Sequence, residues 1–336
     1  MGPAHVLVVN YRTPELVLDC LRSIQPLLDE LNGGRVFVGD NWSQDGSAEI
    51  IKRAVSVNGW QSWVVLVELP VNGGFAYGNN ALIRRALADE PSLAAVILLN
   101  PDTVVCRGAF LYLLRYLDDH SRVGVAGSRI LNSNGIQECS AHRFPSPLGE
   151  LADGANFSLL SRLLRSRIVS PPLPYQRQSF DWVSGACMAV RRAVFEDVHV
   201  FDEGYFLYFE EVDFCLSARL AGWECAFVSA ATVTHLEGAS TGIAKGRQRR
   251  PAYWYTSRRR FFVKAYGILG LLLADALWAL GRFTLVLRRG LALGGETGVE
   301  REPSHFARDL LWGDLKAVLK GEWRTIERLR PRVHAR

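Results

Sequence analysis

AAVILLNPDT, residues 94–103, sets the reading of the whole chain. Six apolar residues run unbroken and stop at Asn100-Pro101-Asp102. A run this short and this apolar reads as a strand buried on both faces, the kind found in parallel sheets covered by helices. HVLVVN (5–10), RVFVGD (35–40) and WVVLVEL (63–69) have the same character. Helical patterns at 14–31, 46–56 and 77–89 alternate with them, and Thr13 before Pro14 is the expected N-cap of the first. The βαβαβαβ rhythm predicts an α/β fold with an open parallel sheet. Such sheets bind ligands at the carboxyl ends of their strands. Asn10, Asp40 and Asn100-Pro101-Asp102 all stand at those ends, which places the site.

Beyond residue 105 the rhythm changes. A helix is expected near 108–118, then short strands over 123–139. The polar, proline-rich stretch 142–178 reads as an insertion facing substrate, with a plain unstructured loop as the alternative. FDWVSGACMAV (180–190) returns as strand, the segment from Glu210 starts a helix ending near Gly222, and ECAFVSAATVTHL (224–236) supplies the last strands.

The composition excludes global disorder, with 49% hydrophobic and 22% charged residues among 336. Charge is unevenly placed. Residues 1–241 hold 19 Lys and Arg against 26 Asp and Glu, whereas 242–336 hold 20 against 8. The division expected is a catalytic domain over 1–241 and a basic helical extension over 242–336. The six cysteines form no CxxC pair and no metal-like spacing, so free thiols in a reducing compartment are expected. HVLVVN begins a strand almost at once, with no signal peptide before it, which points to the cytoplasm.

The strand ends carry the candidate chemistry. In GDNWSQDGS (39–47), Asp40 offers an acceptor to the imide N–H of a pyrimidine, and Asn41 and its neighbours shape a nucleoside pocket; a ligand-free Asx-turn is the plain alternative. NGGFAYGNN (72–80) opens a helix. Gly73 and Gly74 permit close backbone approach, Asn79 and Asn80 add donors, and the free N–H groups suit a diphosphate or ribose. Asp102 is one oxygen ligand for a hard divalent cation, and His235, at another strand end, offers an imidazole nitrogen. In YFEEVDFC (208–215) three carboxylates sit among aromatic residues. Helical spacing puts Glu211, Phe214, Cys215 and Ala218 on one stripe, so Glu211 heads an apolar face near a helix N-terminus. A carboxylate so placed stays ionised yet more basic than in water, as a general base requires. Glu210 and Asp213 share another side; helix capping by acids is the competing reading.

Together VVNYRTPE, GDNWSQDGS, NGGFAYGNN, LLNPDT, DWVSGACMAVRR, FDEGYFLYFEEVDFCLSARLAGW and VTHLEGAS resemble the family 2 glycosyltransferases, in particular their bacterial rhamnosyltransferase-like branch, over about residues 5–265. The resemblance implies a GT-A fold, with a Rossmann-like, mostly parallel sheet flanked by helices and a C-terminal helical extension. It also implies inverting transfer of a sugar from a nucleotide diphosphate. Asp40 would then read the base, with Asn10, Asn41, Gly73, Gly74 and Asn79 beside the nucleotide sugar. Asp102 and His235 would hold Mg2+ or Mn2+, and Glu211 would be the base. Trp182, Gly185 and Glu210 would meet the acceptor. Two departures stand out: the metal motif is Asn-Pro-Asp rather than Asp-x-Asp, and the base is Glu where the family generally has Asp, which leaves Asp213 as a rival catalytic carboxylate.

RQRRPAYWYTSRRRFFVKAYG (247–267) interleaves cations with aromatics, and 268–287 follows at membrane-spanning length but carries Asp275 and Arg282. No uninterrupted run of roughly 18 apolar residues exists, so a helix lying in the interface of an anionic membrane is expected. A packed amphipathic helix, or a contact between copies of the chain in a homo-oligomer, is the alternative. The expected partners are a dTDP- or UDP-sugar and a polyprenyl-diphosphate-linked acceptor at the inner face of the plasma membrane. The leading donor is dTDP-rhamnose; UDP-galactofuranose is the nearest alternative. A nucleic-acid-binding role would leave the acidic body and the polar strand ends unexplained, and a catalytically inactive scaffold is a distant alternative.

Overall fold

The computed structural model describes residues 1–173, 175, 179–236, 248–291 and 303–329. The chain divides into two compact units, Met1–His142 with Pro172–Gly242, and Arg143–Pro171 with Ile243–Arg336. The boundary expected at 241/242 lies outside the described residues.

In the first unit the predicted rhythm appears as β1 (Ala4–Asn10), α1 (Pro14–Ile24), β2 (Val36–Asp40), α2 (Ser47–Val57), β3 (Val64–Glu68), α3 (Gly74–Asp89) and β4 (Ala95–Leu99). These four strands pair in parallel in the order β3-β2-β1-β4, with Val8 beside Val38 and Leu99. Every residue of β1, β2 and β4 is buried, as their unbroken apolar runs require. The helix expected over 14–31 ends at Ile24 and tightens into a 3-10 turn over Gln25–Leu31, where Pro26 removes a backbone donor. Thr13 occupies the N-cap position, but its hydroxyl and N–H both donate to the Asn10 side chain instead of capping the helix.

The next elements are β5 (Thr103–Val105), α4 (Ala109–Asp119), β6 (Val123–Leu131), β7 (Ala141–His142), α5 (Pro147–Ala155), α6 (Ser158–Leu163), β8 (Ser179–Phe180), β9 (Trp182–Val183), β10 (Cys187–Arg191), α7 (Arg192–Val198), α8 (Glu210–Leu220) and β11 (Glu224–His235). The sheet continues β4-β10-β6-β11-β5, with β10 antiparallel to both its neighbours and β6 parallel to β11. The sheet is therefore mixed: parallel in its N-terminal half, with β10 and β5 running against the other strands of this order. The short strands expected over 123–139 are one nine-residue strand, β6. The single strand expected over 180–190 is broken into β8, β9 and β10, because the chain changes partner twice, from β11 to β7 beyond Asp181 and then to β4 and β6 beyond the turn at Gly185-Ala186. All six cysteines are free, and burial pushes the Cys20 and Cys187 thiols up to about 12, so these two do not ionise near neutrality.

The second unit contains α5 and α6 together with α9 (Ala252–Gly290), α10 (Phe306–Leu319) and α11 (Trp323–Glu327). The stretch 142–178, expected as an insertion facing substrate, contains α5 and α6, and its residues 143–171 belong to this unit. Glycines set the α5–α9 crossing: a Cβ at Gly154 would overlap the Trp278 carbonyl, and one at Gly281 the Leu151 carbonyl. Helix α9 is kinked at Gly267, whose φ of 75° and ψ of 179° are non-helical. At its centre, buried Arg258 bonds Asp275 at 2.9 Å, Asp314 at 3.2 Å and Glu150 at 2.9 Å, while Arg259 takes the other Asp314 oxygen at 2.7 Å. Much of the basic stretch 247–267 is therefore consumed internally, with Arg249 also paired to Asp309. Asp275 points inward, against Arg258.

Candidate active site

The carboxyl ends of β1 and β2 open the site. Asp40 is buried, and its Oδ1 accepts from Asn10 Nδ2 (2.7 Å) and Ser43 Oγ (2.6 Å), while Oδ2 accepts the Ser43 N–H (3.1 Å). One lone-pair position on Oδ2 remains for a ligand donor. Asn41 donates to Asn72 Oδ1 (3.1 Å) and the Gly74 carbonyl (3.0 Å), and its own Oδ1 is buried with no partner among the described residues. An orphaned buried acceptor is costly, so this oxygen is a candidate to receive a ligand N–H or O–H.

At the start of α3 the glycines serve the fold itself. Gly74 has φ +87°, and a Cβ there would overlap the Phe206 carbonyl; a Cβ at Gly73 would overlap Tyr77. The Phe75 N–H donates to that Phe206 carbonyl at 2.7 Å. The close approach expected between these glycines and a ligand is thus, at Gly74, an approach to the segment that leads into α8. Asn79 turns back on its own helix, donating to the Phe75 carbonyl. Asn80, expected to offer donors to a ligand, is spent: it donates to the Phe201 carbonyl (2.8 Å) and Glu203 (2.9 Å) and accepts the Phe201 N–H (2.9 Å).

At the end of β4, Asp102 Oδ1 lies 3.2 Å from His235 Nε2, and Asn100 Nδ2 lies 3.3 Å from the same nitrogen. Pairing of β5 with β11 sets His235 opposite Thr103 and so makes this meeting. Asn100 Oδ1 is buried without a partner among the described residues. Among the described residues no group of three His, Cys, Asp or Glu comes together. A carboxylate, an imidazole and an orphaned amide oxygen nevertheless fit a divalent ion that takes its remaining ligands from a diphosphate and water, and the imidazole suits Mn2+ better than Mg2+.

The three carboxylates enter on α8. Tyr208 and Phe209 both have φ +69°, a strained pair immediately before Glu210. Glu210 and Asp213 are each 3% exposed, whereas Glu211 is half-buried. The expectation that Glu211 alone heads the apolar side is corrected here, since its two neighbours lie deeper. Oε2 of both Glu210 and Glu211 is shielded and has no hydrogen-bond partner among the described residues. Burial raises the Glu211 carboxyl to about 7; burial and then the charge of Glu211 raise Glu210 well above the usual carboxylate range. Gly185 faces Glu211: a Cβ there would sit 3.9 Å from that of Glu211 and 3.8 Å from the Phe75 ring. The Asn100 N–H donates to the Ala186 carbonyl at 2.9 Å, tying this segment to the Asp102–His235 pair. Trp182 stacks on His142 at 4.1 Å in the neighbouring two-stranded ribbon.

Residues 3–256 match a family model described as glycosyltransferase like family 2. The chain belongs to that family.

Relatives of this glycosyltransferase include the low-salt glycan biosynthesis hexosyltransferase Agl10 of Haloferax volcanii, 29% identical over 64% of this chain. The match covers 61% of that relative's length. The N-acetylglucosaminyl-diphospho-decaprenol L-rhamnosyltransferase of Mycobacterium tuberculosis is also 29% identical, over 62% of this chain and 68% of its own. Rhamnosyltransferase WbbL of Escherichia coli is 26% identical over 58% and 68%. Among solved structures, the mannosyltransferase PcManGT of Pyrobaculum calidifontis, in complex with GDP-Man and Mn2+, has a TM-score of 0.53 at 16% identity, covering 98% of this chain and 84% of that one. GalNAc-T7 with UDP, GalNAc and Mn2+ has a TM-score of 0.58 at 11% identity, over 94% and 58%. At these identities the likeness is one of fold.

Within this glycosyltransferase, sequence reasoning passed over Ser43, Asn72 and Phe75. Ser43 was findable, because it stands three residues after Asp40 in an Asx-turn pattern. Asn72 and Phe75 carried no signal. The role of Phe75 depends on the approach of residues 206 and 185, and that of Asn72 on the approach of Asn41, all of them distant in sequence.

Proposed function

We propose that this glycosyltransferase transfers a sugar, in the leading reading L-rhamnose from dTDP-rhamnose, with inversion to a polyprenyl-diphosphate-linked acceptor. The observation that carries the reading is Glu211, a carboxyl raised to about 7 whose Oε2 has no hydrogen-bond partner among the described residues, set beside the Gly185 segment that is also tied to Asn100 and the Asp102–His235 pair. Inversion needs one base and no covalent nucleophile. Glu211 takes the proton of an acceptor hydroxyl, the oxygen bonds to the anomeric carbon, and the bond from that carbon to the diphosphate breaks. Asp102, His235 and the Asn100 side chain would hold a divalent ion, which when bound neutralises the charge developing on the leaving diphosphate. Asp40 and Asn41 would face the base, with Asn10, Gly73, Gly74 and Asn79 behind them. Trp182, Gly185 and Glu210 would meet the acceptor, and Asp213 is the rival carboxylate.

A cell-envelope glycan and a cytoplasmic enzyme at the inner face of the plasma membrane follow from that acceptor. The activities for which the mycobacterial and Escherichia coli relatives are named favour rhamnose. A hexose or galactofuranose donor on the same scaffold is the second reading, favoured by the Haloferax relative. The test is a transfer assay offering a panel of nucleotide sugars to a polyprenyl-diphosphate-sugar, with and without EDTA. Rhamnose transfer that EDTA abolishes and Mn2+ restores supports the reading. Transfer of a different sugar selects the alternative, and absence of transfer from every donor sinks both.

A further inference from the structure

The second half of α9 is amphipathic in the sense opposite to the one its sequence suggests. Its two ionisable residues between 268 and 287 are Asp275, buried against Arg258, and Arg282, half-buried. Leu269, Leu272, Leu273, Leu280, Phe283 and Val286 are instead 41 to 77% exposed. Their spacing of three, four and seven places them on one face about 25 Å long. By length and composition α9 passes for a membrane-crossing helix, yet a third of its most apolar window is buried in the protein. The opposite face is covered by α5, nine residues long, through the Gly154–Trp278 contact, and by α10, fourteen residues long, through Asp314 and Leu310. Neither cover reaches the roughly 20 residues needed to span a bilayer, so they cannot accompany α9 across one.

The geometry points to α9 as an in-plane membrane anchor that sinks the Leu269–Val286 face into the acyl boundary of an anionic bilayer and keeps its Asp275 face packed on α5 and α10. This rests on the membrane-associated reading above, and adds which face enters and that the helix does not cross. Charge selects the occupant. Arg289 is exposed just beyond the face, and Lys316 over Trp312 and Arg324 over Trp323 put cation–aromatic pairs on α10 and α11 of the same unit. Basic and aromatic side chains of this kind favour an anionic headgroup layer, whereas a second copy seated on the face would bring like charges together.

The test is flotation of the full chain with phosphatidylcholine vesicles and with mixed phosphatidylcholine–phosphatidylglycerol vesicles. The wild type should float with the mixed vesicles and be released by alkaline carbonate. Leu273→Glu with Phe283→Glu should reduce flotation about tenfold or more while leaving donor hydrolysis in solution unchanged. Phe283→Trp should be quenched by brominated lipid tails. Equal flotation of the double variant, an unquenched Trp, or resistance to carbonate would overturn the inference. So would a wild-type dimer that the double variant dissociates while neither binds vesicles. A chain that floats but transfers no sugar defeats the proposed function alone; one that transfers sugar without ever floating defeats the anchor alone.

Discussion

A carboxyl at the N-terminus of a buried helix is pulled two ways, and Glu211 shows which pull wins. The helix end favours the charged form, but burial dominates and lifts its pKa to about 7. A base must be ionised, so activity should rise with pH through about 7. The stability sign is opposite. A raised carboxyl binds its proton more tightly folded than unfolded, so its contribution weakens between ~4.3, the unfolded value, and neutrality. Glu211→Gln should lower transfer by ~10²–10⁴-fold with nucleotide binding retained, measured by single-turnover rates and calorimetry. Burial and then the charge of Glu211 favour the protonated form of Glu210, which glutamine copies in shape, so Glu210→Gln should leave the acid limb in place. A limb that moves with Glu210→Gln, or transfer abolished by Asp213→Asn but not by Glu211→Gln, would reassign the base.

At the scale of elements, α8 starts where it does because α3 holds the chain in front of it. Asn80 clamps Phe201 and Glu203, and the Phe75 N–H with the bare Cα of Gly74 clamps Phe206. Between these clamps and Glu210 stand the two strained residues, Tyr208 and Phe209. Such strain persists only where neighbours over-determine it. Asn80→Ala removes the clamp and leaves the buried Phe201 N–H and carbonyl without that partner, a loss of ~1–3 kcal/mol. Its kinetic expression should be a fall in kcat with donor affinity near the wild-type value, read from steady-state rates and nucleotide titration. Gly74→Ala should be more severe, because its Cβ meets backbone rather than a movable side chain and its φ is left-handed.

For the molecule as a whole, the second unit closes around Arg258, which joins α5, both halves of α9 and α10 through three carboxylates. Arg258→Ala would leave Asp275 and Glu150 without their cation and Asp314 with Arg259 alone, a cost of ~3–5 kcal/mol, visible as a lowered thermal midpoint by circular dichroism. Lysine should not rescue it, since one ammonium cannot reproduce the planar fork of a guanidinium. The same cluster explains why the excess of cations in the extension overstates its exposed charge.

The sequence by itself determined the four parallel strands, the polar residues gathered at their carboxyl ends, and the family. Short apolar runs and strand-end polar residues are local signals, and one sheet geometry satisfies them. It also singled out Asp40, Asp102, His235 and the acidic run at 210–213, because an ionisable residue beside buried strand or helix is conspicuous wherever it stands. Only the tertiary structure decided that β10 enters inverted beside β4, that Asn80 and Gly74 serve the α8 segment, and that Asp275 faces Arg258 rather than water. Each depends on partners between 17 and 132 or more residues away, and helical periodicity fixes which residues share a face without fixing which face is covered.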